Sequence, residues 1–165
     1  VGATNCIKIR DGVLTAYNTD IIGFEESFIK KLKPYHTKAL VLGTGGASKS
    51  VQYILQKLGI RFWVVSRNES NKENFIQYKE LTSDIIKEYT IIINCTPLGM
   101  SPDEETSPDI PYALLTANHY LFDLVYKPAK TLFLQKGEEQ GAVICNGYEM
   151  LLIQAEANWK IWNEE

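Results

Sequence analysis

One stretch limits the possible fold of this chain more than any other: a strand, a glycine-rich turn and a helix between residues 39 and 59. Residues 39–42 are Ala-Leu-Val-Leu, and an apolar run of this kind predicts a strand that is buried on both faces. The turn holds three glycines, which allow bare backbone to approach a ligand: Gly43, Gly45 and Gly46. Apolar residues then recur on one face of a helix that ends at Gly59, namely Val51, Ile54, Leu55 and Leu58.

This arrangement predicts a place for a phosphate group. A helix N-terminus has unpaired N–H groups and the positive end of the helix dipole, and both attract phosphate. A buried strand before a glycine turn, with an amphipathic helix after it, is typical of dinucleotide-binding proteins. The alternative is an ordinary connection between a strand and a helix in an α/β protein without a cofactor.

The rest of the chain repeats the alternation of strands and helices. Apolar runs predict strands at residues 61–65, 90–94, 120–125 and 142–145, and helices are expected at residues 132–140 and 148–162. A strand, a helix and a second strand in this order predict parallel pairing. The sequence therefore predicts a Rossmann-type, doubly wound α/β fold, with a mostly parallel sheet and helices on both faces.

The first part of the chain has a different pattern. Residues 5–17 alternate around Asp11-Gly12, which predicts a β-hairpin with a tight turn. A helix follows, and either Thr19 or Asp20 can cap its N-terminus.

Three weaker patterns lead to less specific expectations. Residues 69–82 are polar, and they favour a helix that contains Phe75, Ile76 and Tyr78. Residues 84–87 are typical of a short turn or strand. His36 lies in a predicted loop, where a histidine is usually exposed to solvent.

Polar and glycine-rich segments follow the predicted strands at their carboxyl ends. These segments are residues 43–48, 66–68, 94–100, Tyr126 and 146–147. Ligands of an open parallel sheet bind beside the carboxyl ends of its strands. We therefore expect these segments to form one binding site.

Composition excludes several other classes of function. The net charge is −3 and the pI is about 5.5, which argues against nucleic acid as a partner. No apolar run has membrane-spanning length. Cys6, Cys95 and Cys145 are far apart and lack metal-type spacing, which favours buried thiols in a reducing cytoplasm. The chain begins at Val1, within an apparent strand, as a fragment of a longer protein would.

The end of the second strand of the dinucleotide unit indicates which cofactor binds. An NAD site usually has Asp or Glu there, to bind the ribose hydroxyl. Here the position holds Ser66, followed by Arg67, whose guanidinium can bind a 2′-phosphate. The cofactor predicted is NADP. Two alternatives remain, namely ribose binding by Glu69 and a solvated surface role for Arg67.

Several segments together resemble one family, the shikimate dehydrogenases. They are Val-Gly-Ala-Thr-Asn-Cys (1–6), Tyr-Asn-Thr-Asp (17–20) with Gly23-Phe24, Leu-Gly-Thr-Gly-Gly-Ala-Ser (42–48), Ser-Arg-Asn (66–68), Asn-Cys-Thr-Pro-Leu-Gly-Met (94–100), Asp-Leu-Val-Tyr (123–126) and Asn-Gly-Tyr-Glu-Met-Leu with Gln-Ala (146–155). They follow one another in the order of the family through the whole chain.

The resemblance implies NADP-linked, reversible reduction of 3-dehydroshikimate to shikimate, in the pathway to chorismate and the aromatic amino acids. It implies that residues 1–20 end a substrate domain whose earlier part is missing, and that residues 21–165 form the NADP-binding domain. The final helix would pack back towards the substrate domain. The catalytic lysine of the family would lie in the missing part, so we expect the fragment alone to be inactive.

The resemblance also implies the site residues. Asn5, Asp20, Tyr126 and Gln154 would bind substrate, and Asp20 would belong to a catalytic Lys–Asp pair. The residues implied for NADP are Gly43, Thr44, Gly45, Gly46, Ala47, Ser48, Ser66, Arg67, Asn68, Asn94, Thr96, Met100, Gly147 and Met150. No metal is expected. Without the resemblance, Asp20 would be a helix cap and Gln154 a polar residue on an apolar helix face.

Two other functions remain open at this point. The chain could belong to a related enzyme that acts on quinate, or it could be a module that binds NADP without catalysis. A lysine-bearing domain upstream would distinguish an enzyme from such a module. Self-association into a homodimer, through the surface that the missing domain would cover, is a further alternative.

Overall fold

The computed structural model describes residues 1–71 and 73–164; Lys72 and Glu165, the last residue of the predicted NADP-binding domain, lie outside them. The chain opens with an antiparallel hairpin of β1 (Cys6–Arg10) and β2 (Val13–Tyr17). Asp11 and Gly12 join the strands with φ angles of 49° and 78°. Two positive φ angles are the requirement of a type I′ turn, and the predicted hairpin is confirmed.

The main sheet has six strands, in the order β5-β4-β3-β6-β7-β8. Every neighbouring pair in this sheet is parallel. The strands are β3 (Lys38–Leu42), β4 (Arg61–Ser66), β5 (Phe75–Gln77), β6 (Ile91–Asn94), β7 (Tyr120–Asp123) and β8 (Val143–Cys145). The predicted Rossmann-type fold is confirmed.

Helices cover both faces of the sheet. Within the described residues the α-helices are α1 (Asp20–Phe28), α2 (Gly46–Lys57), α3 (Ser83–Glu88), α4 (Leu132–Glu139) and α5 (Tyr148–Asn163). Short 3-10 turns occupy Ile29–Lys31, Tyr78–Glu80 and Tyr112–Leu114. None of the helices in this part of the chain is long and apolar enough to cross a membrane.

The strand sequences divide their side chains between two apolar layers. Ile91 and Ile93 of β6 belong to one layer, with Phe24, Phe28 and other residues of the helices on that face. Ile92, between them, belongs to the opposite layer. Successive side chains of a strand point to opposite faces, so a strand between two helical layers is apolar along most of its length.

Two weaker predictions were wrong. Phe75–Gln77 is a strand rather than part of a helix, since it pairs with Val64–Ser66 of β4 at the sheet edge. Residues 84–87 lie in helix α3 rather than in a turn or strand. The Thr82 hydroxyl begins this helix by accepting a hydrogen bond from the Ile85 N–H at 3.4 Å, which stabilises a helix too short to show periodicity.

His36 is a third correction, because it is buried rather than solvated and is only 3% exposed. Its Nδ1 accepts a hydrogen bond from the Lys33 N–H at 3.1 Å, and its Nε2 lies 3.0 Å from the Asn118 carbonyl oxygen. The loop that enters β3 is thereby joined to the loop that enters β7. Burial is the main cause that lowers the His36 pKa.

The strand order fixes where a ligand can bind. The chain moves from β3 outward through β4 and β5, and then crosses to β6 on the other side of β3. Between β3 and β6 the connections therefore leave in opposite directions, which opens a crevice at the carboxyl ends of these strands. Gly43 follows β3 and Cys95 follows β6, so both lie at this crevice.

Candidate active site

The glycine turn brings the backbone of β3 against the end of β6. Gly43 has a φ of 106°, and a Cβ there would lie 3.1 Å from Thr96 Cγ2 and 3.2 Å from the Cys95 carbonyl oxygen. A side chain is excluded both by the backbone conformation and by this contact. Gly45 is the N-cap of α2, and no side chain caps the helix. The first N–H groups of α2 thus remain available to an anion.

Ser48 holds this turn from behind. Its hydroxyl is buried and donates to the Gly43 carbonyl oxygen at 2.7 Å, while Gln52 Nε2 donates to the Ser48 hydroxyl at 3.0 Å. The side chain of Ser48 therefore fixes the turn and is not exposed to the crevice. Among the predicted loop residues, Gly43 and Thr44 line a cleft directly.

This nucleotide cleft has a volume of about 740 Å³. It is lined by Gly43, Thr44, Val65, Ser66, Arg67, Asn68, Gln77, Tyr78, Lys79, Cys95, Thr96, Leu98, Ser107 and Asp109. The residues implied for the 2′-phosphate end, Ser66 to Asn68, thus lie in the same cleft as the glycine turn. The volume falls in the range of small-molecule and cofactor sites.

The segment after β4 has a fixed shape and an exposed arginine. The Ser66 hydroxyl donates to the Asn68 carbonyl oxygen at 2.9 Å and accepts from the Asn68 N–H at 3.0 Å. Arg67 is exposed between them, and no ion pair among residues 1–71 and 73–164 includes it. Burial raises the pKa of the nearby Tyr78 to about 12, and the charge of Arg67 opposes this rise.

A middle pocket of about 340 Å³ continues from the nucleotide cleft, with which it shares Cys95. Its lining is mostly apolar and consists of Ala47, Cys95, Met100, Ser101, Leu124, Val125, Tyr126 and Lys127. Met100 is half exposed here, whereas Met150 is only 7% exposed and belongs to the core. An apolar pocket between two polar ones suits a flat ring of low charge.

A third, polar pocket of about 490 Å³ shares Ala47, Leu124 and Tyr126 with the middle pocket. Its lining is Asn5, Asp20, Ala47, Leu124, Tyr126, Gly147, Met150, Leu151, Gln154 and Asn158. All four residues implied for substrate binding are in this set. Because neighbouring pockets share lining residues, the three adjoin one another in series, from the pocket of Arg67 to the pocket of Gln154.

Polar side chains from the segment before β1, from α1 and from α5 form a hydrogen-bonded cluster. Asn5 Nδ2 donates to Asp20 Oδ1 at 2.7 Å and to Gln154 Oε1 at 3.3 Å. Three residues far apart in sequence are therefore brought into contact. The arrangement offers amide and carboxylate groups to a ligand with several hydroxyl groups.

Asp20 is the first residue of α1, and its carboxylate faces Asn5. The N-cap position belongs to Thr19, but no side-chain capping bond is formed, so neither Thr19 nor Asp20 acts as the expected cap. Burial raises the pKa of Asp20, and the hydrogen bond from Asn5 opposes this rise. Among the described residues, no hydrogen bond uses Asp20 Oδ2.

Two members of the polar cluster gave no separate signal in the sequence. Thr19 is buried and only 1% exposed, and its hydroxyl donates to Asn158 Oδ1 at 2.7 Å. Asn158 Nδ2 in turn donates to Gln154 Oε1 at 3.0 Å. Asn158 lies one helical turn after Gln154, and this spacing of amide side chains is the pattern that could have revealed it.

Two glycines allow the close packing that forms the polar pocket. A Cβ at Gly23 of α1 would lie 2.5 Å from the Met150 carbonyl oxygen of α5. A Cβ at Gly147, the N-cap of α5, would lie 2.1 Å from the Leu124 carbonyl oxygen. Neither position can hold a side chain without a shift of backbone. Glycine at these two places keeps α5 against α1 and against the end of β7.

Asn94 supports the wall of the cleft from inside the protein. It is fully buried, and its Oδ1 accepts from the Thr96 N–H at 3.0 Å and from the Thr96 hydroxyl at 2.6 Å. Thr96 lines the nucleotide cleft, but the Asn94 side chain does not. Within the described residues, no group of three or more His, Cys, Asp or Glu side chains could hold a metal ion.

Comparisons with known proteins agree with this geometry. No family model matches the chain. The shikimate dehydrogenase (NADP+) of Caldicellulosiruptor bescii is 37% identical, and the match covers 98% of this chain and 60% of that protein. Across eight curated relatives, the chain spans 60–64% of their length.

Solved structures give the same result. Shikimate dehydrogenase 1 from Peptoclostridium difficile has a TM-score of 0.84 and 36% identity, covering 99% of this chain and 61% of that chain. Shikimate 5-dehydrogenase from Thermus thermophilus, in complex with NADP(H) and shikimate, has a TM-score of 0.78 and 28% identity, covering 99% and 63%. Over nearly its whole length, the chain is therefore homologous to the C-terminal part of shikimate dehydrogenases.

Proposed function

We propose that this chain is the cofactor-binding part of an NADP-dependent enzyme that interconverts 3-dehydroshikimate and shikimate. The observation that carries the proposal is the series of three adjoining pockets, which leads from the glycine turn to a cluster of amide and carboxylate side chains. The relative from Thermus thermophilus, which was solved with NADP(H) and shikimate, supports both ligand assignments.

In this proposal residues 21–165 form the NADP-binding domain, and residues 1–20 complete a substrate domain. The phosphates would lie on the glycine turn, where Gly43 leaves no side chain and α2 has an uncapped N-terminus. The other residues proposed to hold NADP by backbone, side chain or support of the wall are Thr44, Gly45, Gly46, Ala47, Ser48, Ser66, Arg67, Asn68, Asn94, Thr96, Met100, Gly147 and Met150.

Arg67 would select NADP rather than NAD. Its exposed guanidinium lies in the nucleotide cleft at the end of β4, where an NAD site would place a carboxylate. A guanidinium and a phosphate form a charge-assisted, bidentate pair, whereas a carboxylate at this position would repel the phosphate.

The substrate ring would lie in the polar pocket, beside Tyr126. Asn5, Gln154 and Asp20 would bind its hydroxyl groups, because amide and carboxylate groups match hydroxyls in hydrogen-bonding capacity. An analogue without these hydroxyls would leave the amides unpaired, and this loss gives selectivity.

NADPH, when bound, supplies a hydride to the substrate carbonyl carbon. A proton must then reach the carbonyl oxygen. Asp20 is held by Asn5 through Oδ1, and we propose that its Oδ2 binds a lysine ammonium and a substrate hydroxyl. Among the described residues that line the polar pocket, none is a lysine. We therefore propose that the proton donor lies in a part of the enzyme outside this chain, and that this chain alone gives no turnover.

The assignment of Asp20 can be tested in the full-length enzyme with Asp20→Asn. Asparagine keeps the size of the side chain, so the melting temperature and NADPH affinity should stay near the wild-type values. Turnover of shikimate should fall by about a hundred- to ten-thousandfold, the usual contribution of general acid–base catalysis.

A faster turnover of quinate than of shikimate by the wild type would contradict the proposed substrate.

A matched control is Lys127→Met, since Lys127 lines the middle pocket and not the pocket of Asp20. We expect it to retain most of the turnover. If this chain alone shows turnover, and Lys127→Met abolishes that turnover, the proposal that the proton donor lies outside this chain is overturned.

A further inference from the structure

Asp123, outside the set of residues proposed above to bind ligands, connects three segments around the cleft. It is the last residue of β7 and is fully buried. Its Oδ1 accepts hydrogen bonds from Asn94 Nδ2 and from the Val125 N–H, both at 3.0 Å. Its Oδ2 accepts from the Thr131 hydroxyl at 2.5 Å. One carboxylate therefore contacts β6, the segment after β7 and the N-cap of α4.

The contact with Asn94 supports the beginning of the segment 94–100. Because Asp123 accepts from its Nδ2, the Asn94 amide is oriented with Oδ1 towards Thr96. Thr96 then lines the nucleotide cleft. Asn94 Nδ2 also donates to the Leu98 carbonyl oxygen, at the longer distance of 3.4 Å, so the carboxylate is the closer of its two acceptors.

The contact with Thr131 supports the end of the same segment. A Cβ at Gly99 would lie 3.2 Å from Thr131 Cβ, so the backbone at Gly99 lies against this side chain. The next residue, Met100, lines the middle pocket. Asp123 thus supports the segment 94–100 at both ends, through Asn94 and through Thr131. Thr96 and Met100, which line the pockets, belong to this segment.

The contact with Val125 supports the opposite wall. Leu124 and Tyr126, on either side of Val125, line both the middle and the polar pocket. The Leu124 N–H also donates to the Asn94 carbonyl oxygen at 3.0 Å. The two walls of the middle pocket are therefore joined through residues that Asp123 contacts.

The burial of this carboxylate is unfavourable for the fold. Among residues 1–71 and 73–164, no ion pair includes Asp123. Burial raises its pKa to about 6, although the hydrogen bonds from Thr131, Val125 and Asn94 oppose the rise. A buried charge without a counter-ion is costly, and the three hydrogen bonds to Asp123 offset part of this cost.

We propose that Asp123 is a positioning residue that holds both walls of the middle pocket in the arrangement needed to bind the nicotinamide half of NADP(H). The assignment of this ligand rests on the proposed function. The positioning itself is a property of the chain, and it can be measured without any ligand.

Amide hydrogen exchange tests the positioning directly. In Asp123→Ala, the amides of Thr96 and Val125 should exchange at least tenfold faster than in the wild type. Ile92→Val is the matched control, since Ile92 is fully buried on the adjacent strand but lines none of the three pockets. This variant should lower the melting temperature. The exchange rates of the Thr96 and Val125 amides should stay at their wild-type values.

Affinity for NADPH tests the consequence for binding. We expect at least a tenfold loss in Asp123→Ala, a smaller loss in Asp123→Asn and Thr131→Val, and no change in Ile92→Val. If Asp123→Ala does not fold, Asp123→Asn and Thr131→Val carry both measurements.

Equal exchange and equal affinity in the Asp123 variants and in Ile92→Val would overturn the inference. A wild-type chain that binds no NADPH would instead refute the proposed function. In that case the exchange of Thr96 and Val125 would still decide whether Asp123 holds the two walls.

Discussion

At the scale of single residues, Arg67 determines the proposed choice of cofactor. Replacement by alanine removes a charged hydrogen-bond partner of the 2′-phosphate, which is worth about 1.5–3 kcal/mol. Affinity for NADPH should fall by about ten- to a hundredfold, while affinity for NADH should barely change. Titration of both cofactors into Arg67→Ala measures this difference.

Arg61→Ala is the control for this prediction, because Arg61 is an exposed arginine at the opposite end of the same strand. It should leave both affinities unchanged. Equal losses for NADPH and NADH in Arg67→Ala would show that Arg67 supports the fold of the site rather than the 2′-phosphate.

Asp123 should also give stability a distinctive pH dependence. Burial raises its pKa from 3.8 to about 6, a difference equivalent to about 3 kcal/mol. Because the folded state binds the proton more tightly, this contribution is present below pH 4 and is lost as the pH rises through about 6. Relative to Asp123→Asn, the wild type should therefore lose up to about 3 kcal/mol of unfolding free energy between pH 4 and pH 7.5.

Comparison with Asp123→Asn isolates this effect from that of His36. Burial lowers the His36 pKa, so its contribution is lost as the pH falls below its ordinary value of 6.5. That residue is the same in both proteins, and its contribution cancels in the difference. A difference in unfolding free energy that is constant across this range, measured in urea, would contradict a raised pKa for Asp123.

At the scale of elements, the contact between α1 and α5 forms the polar pocket. Gly23→Ala should push these helices apart, because a Cβ would lie 2.5 Å from the Met150 carbonyl oxygen. Overpacking of this kind costs about 1–3 kcal/mol of unfolding free energy. It should also separate Asp20 from Gln154, and denaturant unfolding measures the loss of stability.

Gly46→Ala is the matched control, since a Cβ at this helical position would meet only Ala3 Cβ at 3.8 Å. Alanine is the better helix former, so this variant should be as stable as the wild type or slightly more stable. Loss of stability in Gly46→Ala equal to that in Gly23→Ala would contradict a specific contact between α1 and α5.

The central elements could be predicted because their sequences carry strong local signals. The stretches 39–42 and 91–93 are apolar at every position, as is typical of a sheet covered on both faces. Phe75–Gln77 carries no such signal, since its strand conformation depends on pairing with β4 at the edge. His36 was wrongly expected at the surface, because its burial depends on Asn118, which is distant in sequence.

The candidate site was predictable in its residue types but not in its connections. Motif order gave Asn5, Asp20 and Gln154, and the structure brings their side chains together. The hydrogen bond between Thr19 and Asn158 depends on the packing of α1 against α5, which the sequence does not show. The supporting contacts of Asp123 likewise depend on neighbours in the sheet and on the start of α4, which no local pattern contains.

At the scale of the whole molecule, the polar pocket lies beside a surface that is unusually apolar. Ile9, Val13 and Leu14 of the hairpin are 63–68% exposed, and Trp159 and Trp162 of α5 are 66% and 53% exposed. The Trp162 Nε1–H donates to the Ile7 carbonyl oxygen at 3.1 Å, which joins the two elements. In the proposed domain arrangement, this surface is where the substrate domain would pack.

The proposed function requires above all that this chain bind NADP(H) as a domain. The most direct measurement is a calorimetric titration of the 165-residue chain with NADPH and, separately, with NADH. We expect saturation at one site per chain, with NADPH bound at least about tenfold more tightly than NADH, as a single charge-assisted phosphate contact would give. Absence of NADPH binding, or equal affinity for the two cofactors, would contradict the proposed function.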